Sequence, residues 1–261
     1  MLKKLKSYLT HPLVRDIDID SPVITMRHKR IIHEKLFLKK NYNRWYKLIA
    51  SSLLDDIKGP VLEIGSGGGF LKKFIPNLIT SEVFRVNDID IVLDGKSLPF
   101  KKAFLKGIVM CDVFHHIPNI KSFLDEASYC IKPGGSIVML EPWVTAWSRL
   151  IYNHLHHEPF DTGTKQWHFK NGKPLSVSNQ ALPWIVFDRD RTFFKKQYPE
   201  WQIDKIILHT PFCYLLSGGV SHKNFMPGFL FEMCRTVEDI MQPFMQFLAM
   251  FALIRLTRKD I

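Results

Sequence analysis

The chain is short of cysteine: Cys111, Cys130, Cys213 and Cys234 are the four among 261 residues. None forms a Cys-x-x-Cys pair. That argues against a zinc site or a disulfide framework and suits a reducing compartment. The segment Met1-Leu2-Lys3-Lys4-Leu5-Lys6 lacks a long apolar run and a small-residue cleavage site. No secretory leader is expected, and the cytoplasm is the expected location. The strongest apolar run, Phe244 to Ile254 with Gln246 interrupting it, falls short of the roughly 20 residues a spanning helix needs. It reads as a buried helix. The sharper alternative is a surface-lying helix ended by Arg255, Arg258 and Lys259, which leaves peripheral contact with the inner membrane face open.

Negative charge is also scarce, with 36 Lys and Arg against 25 Asp and Glu, a net +11. Residues 1–59 carry 13 basic and 6 acidic residues, so 13 − 6 = +7 lies there. Such a segment could face anionic lipid, nucleic acid or a phosphorylated substrate, or form a solvated helix surface.

What is present is a strand-and-helix rhythm in a chain whose apolar fraction, 46%, is normal for a globular protein. Ser21-Pro22 reads as an N-cap followed by proline at the first helical position. Two helices should follow, up to about Leu54, and end at Gly59-Pro60. Strands are expected from Val61 and over 78–83, 89–94, 107–112 and 136–141. Helices are expected from Leu71 and over 120–131. Residues 142–191, rich in Trp, His and Asn, break the rhythm as an inserted cap. A helix near 191–198 should precede two closing strands at 203–208 and 212–216. Apolar helices would then fill roughly 229–256.

The fold class expected is α/β, a doubly wound, mostly parallel, seven-stranded Rossmann-like sheet. Its organisation reads as a basic helical extension (1–58), a cofactor-binding core (59–142), a cap (143–190), the end of the core (191–219) and C-terminal helices (220–261). Ligands in such sheets bind at the carboxyl ends of the strands.

The most informative stretch is Val61-Leu62-Glu63-Ile64-Gly65-Ser66-Gly67-Gly68-Gly69-Phe70. A buried strand runs into glycines that let the backbone turn tightly and approach a ligand. A dinucleotide fingerprint would need its third glycine where Phe70 stands. A phosphate-binding loop would need a Lys-Ser/Thr pair, which does not follow. Glu63 is useless to a phosphate but suits a ligand carrying an ammonium or sulfonium group.

The order Glu-x-Gly-x-Gly-x-Gly resembles the first motif of the class I S-adenosylmethionine-dependent methyltransferases. The resemblance extends from Val61 to Pro142 through Asp94 and Leu98-Pro99-Phe100, Phe114-His115-His116-Ile117, and Lys132-Pro133-Gly134-Gly135. It implies S-adenosylmethionine as cofactor. Gly65, Ser66, Gly67 and Gly69 would cradle the methionine part and the ribose. Glu63 would order the loop or hold the amino group. The ribose acid is assigned to Glu82, because Asp88 or Asp90 would leave no room for a helix and a third strand before Asp94. Asp94 and Leu98 would lie on the adenine side and Cys111 beside the cofactor.

His115 and His116 sit where substrate would meet cofactor and are candidate bases, with packing as the alternative role. The cap run His154 to Asp161 adds His157 as a candidate base, with metal ligation as the lesser alternative, and His156 and Glu158 as pocket residues, or else forms a plain polar loop. Glu141 and Trp143 are expected to line the acceptor pocket. No metal site is expected. The Asn/Asp-Pro-Pro-Tyr/Phe stretch of nucleic-acid amino-methylating enzymes is missing, as is the Pro-Cys of cytosine-C5 enzymes. Nucleic acid is therefore not the expected partner. The expected acceptor is a small or amphiphilic molecule with an O- or N-nucleophile. The competing readings are an inactive binding module and an RNA methyltransferase using the basic N-terminal region. The sequence sets no oligomeric state.

Overall fold

Apolar runs that can be buried on both faces form the centre of the sheet. The computed structural model describes residues 8–54, 56–156, 158–169, 172–173 and 175–260. Helices α1 (Pro22–Glu34) and α2 (Leu36–Ser52) come first, with the Ser21 side chain accepting from Val23 N and Pro22 opening the helix. Strands β1 (Val61–Ile64), β2 (Leu78–Glu82), β3 (Ile91–Val92) and β4 (Leu105–Cys111) follow, then α3 (Ile120–Cys130) and β5 (Ile131–Pro142). The cap region holds α4 (Ala146–Leu155) and α5 (Leu182–Trp184), which widens into a π-turn over Ile185–Arg189. The chain closes with α6 (Arg191–Gln197), β6 (Trp201–His209), α7 (Cys213–Ser217), α8 (Phe231–Ile240), α9 (Met245–Leu248) and β7 (Phe251–Arg258).

Among the described residues the sheet has seven strands in the order β3-β2-β1-β4-β5-β7-β6. Strands β1 to β5 pair in parallel, and β7 runs antiparallel between β5 and β6. The order reverses between β1 and β4, and the crevice at their carboxyl ends is where such sheets take ligands. One face is covered by α3, the cap and α6, through Phe123, Leu124, Leu182, Phe187 and Phe194. The other is covered by α1 and α2, through Ile31, Leu38, Trp45, Tyr46 and Ile49 packed on Val61, Val109, Val138 and Leu253.

Four expectations fail. Residues 251–258 are a strand, not part of a C-terminal helix, so the core does not end at 219. Phe251 to Ile254 are buried, and an unbroken apolar run has the same pattern in a buried strand as in a buried helix. Arg255 therefore lies in the sheet, 3.3 Å from Asp204, rather than ending a surface helix. Residues 212–216 are not the closing strand; α7 occupies that place and ends at left-handed Gly218. The helix expected from Leu71 shrinks to a single 3-10 turn, Leu71–Lys73. The third strand is only two residues long, and just before it the Asp90 carboxylate accepts from Thr80 N and Thr80 Oγ1, at 2.9 Å each.

His209, at the end of β6, faces α2. Thr210 Oγ1 lies 2.7 Å from its Nδ1 and also accepts from Trp45 Nε1 at 3.0 Å. Burial and the nearby Arg44 push its pKa down to about 3. The folded state thus keeps it neutral, while the unfolded chain takes up a proton below about pH 6.5. Stability should fall as the pH drops through that window, by about 2 kcal/mol between pH 6.5 and 5 from this group alone. In His209→Leu the urea midpoint should change less between pH 7 and 5 than in the parent. Equal slopes would remove His209 as the cause.

Candidate active site

The glycine loop leaves β1 with two left-handed residues, Gly65 (φ 67°) and Gly67 (φ 51°). A Cβ at Gly65 would meet Val113 Cγ2 at 2.6 Å, so only glycine fits between β1 and β4. Ser66 N donates to Ser81 O at 2.8 Å, and Ser66 Oγ donates to Glu63 Oε2 at 2.7 Å. Glu63 therefore ties the loop from inside. Burial pushes its pKa up to about 7, the Glu82 charge adds to this, and the Ser66 hydroxyl opposes it. Glu82, at the carboxyl end of β2, accepts from Gly67 N at 2.9 Å and from Val83 N at 2.8 Å. Asp88, set aside in favour of Glu82, is exposed and pairs with Lys29 at 2.7 Å.

This loop forms one wall of a cavity of about 290 Å³, near the lower end of the range for small-molecule sites. Its lining follows the strand order. Leu93, Asp94 and Gly95 lie on the β3 side, Glu82 and Val83 on β2, Glu63 to Gly69 on β1, and Cys111, Asp112, Val113 and His116 on β4. The cap contributes Glu158, and α1 and α2 contribute Thr25, His28, Tyr42 and Tyr46. The basic N-terminal segment is thus partly a roof, which its charge did not suggest. A Cβ at Gly69 would meet the Tyr46 hydroxyl at 2.2 Å, so roof and loop are in direct contact.

Beyond β4, Glu141 and the two histidines form a buried polar group. Glu141 Oε1 accepts from Val113 N and Phe114 N, both at 2.8 Å, and Oε2 lies 2.8 Å from His115 Nδ1. His115 Nε2 lies 3.3 Å from Glu158 Oε2. Burial alone would lower the His115 pKa, but Glu141 and Glu158 outweigh it and hold the ring protonated. Burial raises Glu158, yet His115 and His116 bring it well below the usual carboxylate range. Asp112 takes a left-handed backbone (φ 62°), uncommon outside glycine. Burial lifts its pKa to about 7, and its Oδ1 is buried with no partner among the described residues.

A methyltransferase domain model matches residues 32–189, more than half of the chain. The chain belongs to the methyltransferase domain family. Its enzymes draw the methyl group from S-adenosylmethionine. In structure this methyltransferase is similar to the YcgJ protein of Bacillus subtilis, at 13% identity and TM-score 0.49, covering 84% of this chain and 99% of that one. It is similar to the methyltransferase solved with the Trm112 activator of Haloferax volcanii, at 10% identity and TM-score 0.48, covering 90% and 94%. It is also similar to a methyltransferase of Thermotoga maritima, at 16% identity and TM-score 0.46, covering 87% and 100%. No curated protein matches it in sequence.

The methyltransferase cavity gathers most of the residues singled out from the sequence. Glu63, Gly65, Ser66, Gly67, Gly69, Glu82, Asp94, Cys111, His116 and Glu158 all line it. Five others do not. Leu98 turns into the core, where its N–H donates to Glu126. His115 and Glu141 lie behind the wall, because Glu141 is consumed by two amides and the imidazole. Trp143 packs in the core beneath the cap. His156 turns to Gln180 and to the Tyr152 ring. His157 lies outside the described residues. The sequence reading gave Asp112 no role, although it stands at a strand end, where such sheets bind ligands. It also missed Tyr42 and Tyr46, which no local pattern distinguishes from core aromatics.

Proposed function

We propose that this methyltransferase transfers the methyl group to a small or amphiphilic acceptor through an oxygen or nitrogen nucleophile. One observation carries the reading: a roofed cavity with two buried carboxylates, Glu63 and Glu82, toward one side and His116 with Glu158 toward the other. The cradle fits an adenosyl ligand, because a Cβ at Gly67 would point at Glu82 Oε2 from 3.7 Å and fill the space beside it. Glu82 would hold the ribose hydroxyls, and Gly65 to Gly69 would pass close to the amino-acid part. Asp94 would lie on the adenine side and Cys111 beside the sulfur. The cofactor supplies a methyl group on a sulfonium that is already a good leaving group. The protein's share is to hold the nucleophile in line and keep water out under Tyr42 and Tyr46.

His116 is the better candidate base, because His115 is locked between two carboxylates. A cavity closed over by a helical roof suits a small head group better than a folded macromolecule. Phe229, Met233, Val237, Ile240, Phe244 and Phe247, none of which lines the cavity, are exposed on neighbouring turns and form an apolar face. Contact with a membrane surface fits the same observation. Among the described residues no helix is long and apolar enough to cross one.

The test combines calorimetry of S-adenosylhomocysteine with labelled methyl transfer into fractionated cell extract, with and without membranes. Binding, with label in organic-soluble small molecules and more of it when membranes are present, is the expected result. Label confined to RNA or protein would overturn the acceptor class. No binding at high micromolar ligand would favour the inactive module.

A further inference from the structure

Three side chains at the β4 side of the cavity converge on one point. His115 and His116 stand side by side on the Phe114–His116 turn, their ring centroids 4.3 Å apart. Glu158 reaches them from the cap, its Oε2 lying 3.3 Å from His115 Nε2 and 3.7 Å from His116 Nε2. One ligand atom from each of the three lies within 4.8 Å of the others.

We propose that His115, His116 and Glu158 form a site for one divalent cation of the zinc type, open toward the acceptor. A tetrahedral ion about 2.0–2.1 Å from its nitrogen and oxygen ligands needs ligand-to-ligand separations of about 3.3–3.4 Å. The two measured separations need only a few tenths of an ångström of adjustment. Orientation is already set. Glu141, fixed by two backbone amides, takes the Nδ1–H of His115 and turns Nε2 toward Glu158. A carboxylate behind a ligating histidine is the usual outer support of such sites.

Charge gives the second, independent argument. Asp112, Glu141 and Glu158 bring three carboxylates around two imidazoles, and one oxygen of Asp112 is buried without a partner among the described residues. Buried carboxylates are costly unless a cation offsets them. His116 and Glu158 line the cavity, so the remaining coordination position faces the space assigned to the acceptor. There the ion would draw in an oxygen or nitrogen donor, discriminate against apolar acceptors and acidify the bound nucleophile, taking over the activating part given above to His116, whose Nε2 is then a ligand.

The acceptor-facing role rests on the function proposed above, whereas the cation site itself does not. The chelator-stripped full chain is titrated with Co²⁺, whose visible absorption reports a tetrahedral environment, and Zn²⁺ is then used to displace it. One ion per chain is expected, with affinity falling more than tenfold in His116→Ala and in Glu158→Gln. The glutamine variant keeps the side chain's shape, and thermal midpoints for both establish that they fold. No cobalt bound at high micromolar concentration, or equal binding in parent and variants, overturns the site. Calorimetry with S-adenosylhomocysteine on the same samples tests the cofactor cavity separately.

Discussion

Glu82→Gln should weaken S-adenosylhomocysteine binding by about 100-fold or more, because it removes one charge from the cavity wall. The Glu82 carboxylate spends one oxygen on Gly67 N and the other on Val83 N. An amide keeps the shape but must point its NH₂ at one of these donors. A buried donor left facing a donor costs about 1–3 kcal/mol, and each lost hydrogen bond to a charged group about 1.5–3 kcal/mol. Gly67 belongs to the loop that would cradle the cofactor, so loop order and ribose contact should fail together. Calorimetry measures it directly, and an affinity within threefold of the parent would show that Glu82 does not hold the ligand. Glu63→Ala is the informative companion, since it removes the acceptor of the Ser66 hydroxyl, and with it the inner tie, while leaving Glu82 in place.

A second large effect is expected from Gly68→Ala. An added Cβ would stand 2.3 Å from Lys29 N and 2.6 Å from Lys29 Cα, both in the backbone of α1. No side chain can move aside to relieve this. The helix cannot bend locally either, because Ile24, Ile31 and Ile32 anchor it in the core. The roof must therefore lift off the loop. Overpacking of this kind costs about 1–3 kcal/mol, or roughly 2–10 °C in the thermal midpoint of a chain this size. Cofactor affinity should fall in parallel, since Thr25 and His28 of the same helix line the cavity. Gly163→Ala is the control: its Cβ would meet only Asp161 Oδ1, at 3.3 Å. A midpoint for Gly68→Ala equal to that of the control would mean the roof is not seated on the loop.

Both experiments bear on the glycine loop or on the acid that accepts from it, and that loop is also where the sequence was most legible. A buried strand, an acid and alternating glycines are neighbours in the chain, so their meaning survives without long-range information. The fold class and the family follow from that loop together with the later landmarks. Spacing alone directed attention to Glu82 rather than Asp88. The structure puts Glu82 on the loop and Asp88 in solvent with Lys29.

Where reading failed, the deciding contact was distant. Phe251 to Ile254 have one local pattern and two allowed structures. Pairing with β5 on one side and β6 on the other makes them a strand. Leu98 looked like a ligand contact until Glu126, 28 positions later, took its N–H.

By itself the sequence determined a methyltransferase core and S-adenosylmethionine as its cofactor, because tight turns and strand ends are local properties of the backbone. Only the tertiary structure decided that the basic N-terminal helices roof the cavity, that the last apolar run completes the sheet, and that Glu141 holds His115 against Glu158. Those outcomes depend on which buried surfaces and charges meet across the chain. Periodicity within a segment records the faces it must bury, but not the partner it buries them against.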